Sequence, residues 1–296
     1  MTDGVLILTG TTASGKSELA VELARKFGAE IVNTDSRQIY RGMPIGTAAP
    51  TEEQLRAVRH HLVGFLDPRE RYSAAQYRAN AMVEIDAIHA HGKRVIVAGG
   101  TGFYIRALLG GVELAPQRDP QVRERLAHEA KVHDAVFLHS WLQLRDPKRA
   151  QAVHPGDGYR ILRALEVALS AVEENAPPTK TLLSEGIPVL KVFLSVDADE
   201  LQARIERRTD QMLDSGLLEE AERVGSCAVA ANAVGFPQAL AYLDGWCTRS
   251  ELRTLLIRAT RRYAKRQQTW FRSEPKTLWC ARDAVEKIVQ EKLGWN

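Results

Sequence analysis

The run Gly10-Thr11-Thr12-Ala13-Ser14-Gly15-Lys16-Ser17 matches the spacing G-x-x-x-x-G-K-[ST], and the apolar run Val5-Leu6-Ile7-Leu8 enters it directly. A buried strand that feeds a glycine-rich turn and then a helix aims several backbone N–H groups at one point, where a polyphosphate binds. Lys16 adds a point charge there, and Ser17 a hydroxyl able to ligate Mg2+. Beyond the loop, Leu19, Ala20, Leu23, Ala24 and Phe27 recur at helical spacing and predict a helix with one buried face. This order of strand, loop and helix commits the start of the chain to an α/β fold. Which phosphate compound is held stays open at this point.

Further strands are expected at residues 30–33, 94–98 and 189–196, with helical patterns between them. Alternating strands and helices imply a P-loop core with a mostly parallel sheet flanked by helices. From 113 to 185 the pattern changes. Residues 122–132, 134–144 and 159–172 read as helices with no strand among them, and Asn175-Ala176-Pro177-Pro178 ends the last. The expected organisation is a core of residues 1–112 and 186–296 carrying a helical insertion at 113–185.

With 296 residues, 45% apolar and 26% charged, the chain has enough apolar residues for one large core, or for a core plus a smaller appended unit. Thr2-Asp3-Gly4 precedes the first strand without the features of a signal peptide, and no apolar run is long enough to span a bilayer. Cys227, Cys247 and Cys280 are scattered and odd in number, which fits neither a disulfide framework nor a C-x-x-C metal site. A cytoplasmic monomer, without a membrane or an obligate protein partner, is the expectation.

The net charge of +3 is unevenly placed. Between Glu251 and Arg272, Glu251 alone opposes Arg253, Arg258, Arg261, Arg262, Lys265, Arg266 and Arg272, so the rest of the chain is net negative. Arg258, Arg261, Arg262, Lys265 and Arg266 gather on one helical face, with Leu255, Ala259 and Tyr263 on another. Such a stripe suits a nucleic-acid backbone, and a solvated helix face is the plainer alternative.

In open parallel sheets ligands collect beyond the carboxyl ends of the strands. Asn33-Thr34-Asp35-Ser36-Arg37-Gln38 follows the second strand and Gly99-Gly100-Thr101-Gly102 the third. One crevice is thus expected to gather Lys16 and Ser17, the Asp35 carboxylate and the Thr101 hydroxyl. Taken singly, Asp35 is also readable as a helix cap, and the glycine pair as a plain tight turn.

Taken together, these segments and others resemble a known family. Gly10 to Ser17, Asp35 to Tyr40, Ile45-Gly46-Thr47-Ala48, His60-His61-Leu62, Tyr72-Ser73-Ala74, Gly99 to Gly102, Arg160 to Glu166, Thr260 to Gln267 and Thr269 to Arg272 occur in the order found in tRNA dimethylallyltransferases. The resemblance runs from residue 5 to about 272. It implies transfer of a dimethylallyl group from dimethylallyl diphosphate, with Mg2+, to N6 of the adenosine 3′-adjacent to the anticodon. It also implies roles. Asp35 is the base that accepts the proton of the exocyclic amine, Thr101 hydrogen-bonds the oxygen bridging carbon and phosphorus, and Lys16 and Arg208 meet the diphosphate, with Arg204 the weaker candidate. Gly10, Thr11, Thr12, Ala13, Ser14, Gly15, Lys16 and Ser17 cradle the diphosphate, Ser17 through the metal. Asp35, Ser36, Arg37, Gln38 and Thr101 meet the flipped adenine and its neighbours. Arg123, Tyr159, Arg160, Ile161, Leu162 and Arg163 grip the anticodon stem-loop, and Gly235, Phe236, Gln238, Lys265, Arg266 and Arg272 also contact tRNA.

Two positions depart from the family pattern. Gly235-Phe236-Pro237-Gln238 stands where Gly-Tyr-Arg/Lys-Gln/Glu is usual, which removes a cation, a hydroxyl and a backbone donor. Tyr159 stands where an amide or lysine is more common. No zinc-finger segment follows the basic helix, as in bacterial members. Other readings are an isopentenyltransferase acting on free adenine nucleotides, a P-loop nucleotide kinase and a noncatalytic RNA-binding nucleotide switch. Against the kinase, no apolar strand ends in the aspartate that normally holds Mg2+. Against the free-nucleotide enzyme stand the basic helix and the insertion, and against the switch the convergence of Asp35 and Thr101.

Overall fold

The computed structural model describes residues 4–112, 119–170 and 180–296. It divides into two compact units, Met1–Val112 with Lys180–Asn296, and Glu113–Thr179.

The first unit is built on six strands, β1 Val5–Gly10, β2 Ala29–Asn33, β3 His60–His61, β4 Arg94–Ala98, β5 Val189–Leu194 and β6 Thr277–Cys280. They form one sheet in the order β3-β2-β4-β1-β5-β6. Every pairing is parallel, as the alternation of strand and helix implies. β1 lies at the centre, in register with Val95 to Ala98 on one side and Val189 to Leu194 on the other. A strand covered by helices on both faces has no solvent side, which is why Val5, Leu6, Ile7 and Leu8 run apolar without alternation and are all fully buried. On one face Leu6 and Leu8 pack with Leu19, Leu23 and Phe27 of the first helix, Lys16–Phe27, and with Val285, Val289 and Trp295. The helical spacing read from sequence is therefore the buried stripe of this helix.

The two edge strands escaped the sequence pattern. β3 pairs at only two positions, Ile31 with His60 and Val32 with His61. β6 is half exposed, with Leu278 and Trp279 on its surface. Neither offers the apolar run or period that marks a strand from sequence.

The second unit holds the helices Pro120–Val132, Ala135–Arg145, Pro147–Ala152 and Gly158–Leu169. Leu126, Leu138, Leu142, Ile161 and Leu165 form its core. Residues 171 and 172 of the third expected helix, and the break at 175–178, lie outside the described residues. The expected insertion boundary at 185 falls six residues late against the division at Thr179. The Leu182 N–H donates to the Leu108 carbonyl at 3.0 Å, and Lys180 pairs with Asp86, so this segment belongs to the first unit.

Candidate active site

The loop from Gly10 to Gly15 closes around its own backbone. Ser14 N–H donates to the Thr11 carbonyl at 3.2 Å, Ala13 adopts a left-handed φ of 63°, and Gly15, at φ 86°, caps the following helix. Gly15 supplies the conformation that starts the helix at Lys16, which a side chain would strain. A Cβ on Gly10 would stand 2.8 Å from Ser14 Oγ, a buried hydroxyl with no hydrogen-bond partner among the described residues. On the outer side Arg204 donates to the Ser14 carbonyl at 3.0 Å and Arg282 to the Gly15 carbonyl at 3.4 Å. Across a trans peptide the N–H points opposite its carbonyl, so these arginines turn the N–H groups of Gly15 and Lys16 inward. Arg204, also held by Glu200, is thus a support behind the loop. Arg208, one turn on, faces the cavity and donates to Thr12 Oγ1 at 3.1 Å.

A cavity of about 390 Å³ opens beyond the carboxyl ends of β1, β2 and β4, lined by Lys16, Ser17, Asp35, Thr101, Arg208 and Tyr263 among others. The three strand ends read as one crevice from sequence do converge here. Burial pushes the Lys16 ammonium down to about 8, with the Asp35 carboxylate opposing the shift and the Arg208 charge adding to it. Asp35 Oδ1 accepts the Arg37 N–H at 2.9 Å, and Asn33 fixes the Asp35 backbone. That turn fixes a carboxylate on the cavity wall. Thr101 stands at the N-cap of the helix Gly102–Leu109, yet its hydroxyl makes no cap bond. It instead accepts the Ser36 N–H at 2.9 Å, crossing from the β4 end to the β2 end.

Gln38 sits on the cavity wall, its amide donating to the Ala48 carbonyl at 2.9 Å. The segment Ile45-Gly46-Thr47-Ala48 is held from below by buried Glu220, which accepts the N–H groups of Ile45 and Gly46 at 2.9 and 2.7 Å. The cavity also has an apolar wall of Ile205, Met212, Leu217 and Leu256.

Two residues expected on an RNA surface, Phe236 and Ile161, have buried side chains. Phe236 is fully buried, its ring seated against Gly46, so its side chain is withdrawn from any ligand. Gly235 lines the cavity, and Gln238 caps it by accepting the Gly235 N–H at 3.1 Å. Pro237 sits in the first turn of the helix Phe236–Leu243, where its missing N–H would have no helical partner, so the helix bears no cost. Ile161 is fully buried in the second unit and cannot touch RNA by its side chain. On the same unit Tyr159 is 73% exposed, Arg160 pairs with Asp157, and Arg123 and Arg163 flank buried Glu166 at 3.8 and 2.7 Å. Leu162 packs partly into that unit's core.

The basic stripe lies on the helix Arg249–Arg272, where Arg258, Arg261, Arg262, Lys265, Arg266 and Arg272 are all exposed. Sequence reasoning saw this outer face and missed the inner one. Thr260, Tyr263, Gln267 and Trp270 of the same helix line the cavity. Burial raises the Tyr263 phenol well above its ordinary range, with Asp35 adding to the shift, which keeps it a neutral donor. Helical spacing from Tyr263 carried this information, masked by the cations between. Among the described residues no group of three His, Cys, Asp or Glu side chains is arranged to hold a metal, and no helix is long and apolar enough to cross a membrane.

The family model described as "IPP transferase" matches residues 38–274. A tRNA dimethylallyltransferase of Geobacter sulfurreducens is 43% identical, covering 98% of this chain and 97% of that protein. One of Alkalilimnicola ehrlichii is 41% identical over 99% of this chain and 95% of that one. Among solved structures, the full-length tRNA isopentenylpyrophosphate transferase of Bacillus halodurans superposes with a TM-score of 0.70 at 32% identity, covering 99% of this chain and 97% of that one. A eukaryotic dimethylallyltransferase acting on tRNA gives 0.74 at 25% identity, over 98% of this chain and 76% of that one.

Proposed function

Because the chain belongs to the IPP transferase family, we propose that it transfers a dimethylallyl group from dimethylallyl diphosphate to N6 of the adenosine 3′-adjacent to the anticodon of tRNA. The observation that carries the reading is the meeting of Lys16, Arg208, Asp35 and Thr101 in one cavity with both charged and apolar walls.

The bond that forms joins adenine N6 to the allylic carbon, and the bond that breaks joins that carbon to the bridging diphosphate oxygen. Asp35, held by the Arg37 N–H, takes the N6 proton as the new bond forms. Negative charge grows on the leaving diphosphate. The N–H groups of Gly15 and Lys16, with the Lys16 and Arg208 side chains, would meet that charge from a fixed loop, so little reorganisation is needed as the bond breaks. Thr101 Oγ1 accepts the Ser36 N–H at 2.9 Å while its own O–H donates to Ser36 Oγ at 3.3 Å, so the hydroxyl would exchange this long bond for one to the bridging oxygen. The Ile205, Met212, Leu217 and Leu256 wall suits the branched hydrocarbon. Ser17, on the cavity wall at the start of the helix, would supply a hard oxygen donor to Mg2+, which takes oxygen ligands from diphosphate and water as well. When bound, the metal neutralises phosphate charge.

To reach N6 the base must leave its stack. Ser36, Arg37 and Gln38 would meet it at the cavity, while the exposed cations of the Arg249–Arg272 helix and Arg123, Tyr159, Arg160 and Arg163 of the second unit would hold the anticodon stem-loop.

The test is to incubate the protein with labelled dimethylallyl diphosphate, labelled ATP, Mg2+ and unmodified tRNA. Allyl label is expected on the adenosine beside the anticodon. Phosphate transfer from ATP, or allylation of free nucleotide alone, would overturn the reading.

A further inference from the structure

The side chain of Gln267 is 5% exposed and spans two of the three strand ends. Its Oε1 accepts the Thr12 N–H at 2.8 Å, and its Nε2 donates to the Gly100 carbonyl at 3.1 Å. A backbone N–H can only donate and a carbonyl only accept, so these partners fix which end of the amide faces which loop. One side chain therefore ties the phosphate loop to the β4 loop. Fit is tight on both sides, since a Cβ on Gly100 would collide with Nε2 and a Cβ on Gly99 would collide with Thr34. From Gly100 the tie continues through Thr101, whose hydroxyl takes the Ser36 N–H next to Asp35. Lys16, Thr101 and Asp35 thus stand on three loops whose spacing depends on this crosspiece.

We propose that Gln267 is a positioning residue for the transfer reaction, setting the separation between the diphosphate cradle and the Thr101 hydroxyl. The inference rests on the function proposed above. It also gives the basic helix a second purpose, because the helix exposed to RNA on one face carries the cradle's spacer on the other. Reaction geometry is sensitive to displacements of an ångström, so loosening this spacer acts mainly on turnover.

Three variants test it. Gln267→Met keeps the length and volume and removes both hydrogen bonds. We expect kcat/KM to fall about 10- to 100-fold, with tRNA affinity within about twofold of the parent. In a Thr101→Ala background the same change should cost clearly less, because the hydroxyl it positions is gone. Gln267→Glu keeps the acceptor for Thr12 but sets a carboxylate against the Gly100 carbonyl. Protonation restores the donor, so the activity of this variant relative to the parent should rise as pH falls. A purely structural residue would give equal losses with and without Thr101, and a ratio flat in pH. Either result, or a Met variant with unchanged turnover, overturns the proposal. Failure of the function itself reads differently, since the unaltered protein would then transfer no allyl label.

Discussion

At the scale of single residues, the cavity divides its labour by environment. Asp35 has a backbone N–H on one oxygen and cations within electrostatic reach, while Lys16 is desolvated beside Arg208. Replacing Asp35 with Asn should lower kcat by about 10²- to 10⁴-fold, the usual worth of a general base. tRNA affinity, measured by filter binding, should stay close to the parent's. A loss confined to binding would remove Asp35 from its role as base. Lys16 predicts a pH effect with a definite sign. Its ammonium loses its proton as pH rises through about 8 in the free protein, whereas a bound diphosphate holds the proton on. Affinity for dimethylallyl diphosphate should therefore be level below that pH and weaken above it, by up to about tenfold per pH unit. Calorimetric titration at several pH values checks this. A Lys16→Met variant should bind more weakly and lack that dependence. Asp35 and Thr101 were legible in the sequence because they follow strands, where open sheets place their chemistry. Gln267 and Glu220 were not, because each acts on backbone far away in the chain. No local pattern records a partner more than a hundred residues distant.

At the scale of elements, the interior strands announce themselves and the edges do not. Val5 to Leu8 is apolar because both faces are covered. β3 is held by polar contacts instead. His61 bridges Glu30 at 2.7 Å and Glu84 at 2.6 Å, and Lys93 pairs with Glu30 at 2.6 Å. These bonds join β2, β3, the helix Ala74–Ala90 and the start of β4. Burial works to raise the Glu30 carboxyl, but hydrogen bonds from Lys93 and His61 outweigh it and hold the group below its ordinary value of 4.5. An acid with a depressed folded value adds stability above its unfolded value, and that stability disappears as pH falls through the folded one. Lys93→Met should accordingly lower the melting temperature at neutral pH, and the gap should close as pH falls below 4.5. Thermal denaturation across that range decides the matter. A gap independent of pH would mean that Lys93 acts by packing alone. The same limit applies to two expected RNA contacts whose side chains are buried. Phe236 and Ile161 sit within segments that resemble binding blocks, but helical periodicity turns their side chains into cores.

At the scale of the whole molecule, affinity for a polyanion depends on charges that are free to pair with it. Among the described residues no carboxylate pairs with Arg258, Arg261, Arg262, Lys265 or Arg266, and all are exposed. Arg253, on the same helix, is already taken by Asp210 at 2.6 Å. Neutralising Arg261, Arg262 or Lys265 with Ala should weaken tRNA binding and reduce the slope of log Kd against log salt by about one for each phosphate left without its cation. Arg253→Ala should leave that slope nearly unchanged. Equal slopes for all four variants would rule out this face as the one that meets the RNA backbone.

The central position of β1 has a consequence for synthesis. Its hydrogen-bonding edge opposite β4 is filled by Val189–Leu194, far along the chain. At a ribosomal rate of roughly 5–20 residues per second, about 10 to 40 s separate the emergence of these two strands. Throughout that interval the most apolar strand of the nascent chain presents an open edge to its surroundings. The insertion lengthens the wait, so the birth of this sheet is the period when aggregation competes most strongly with folding.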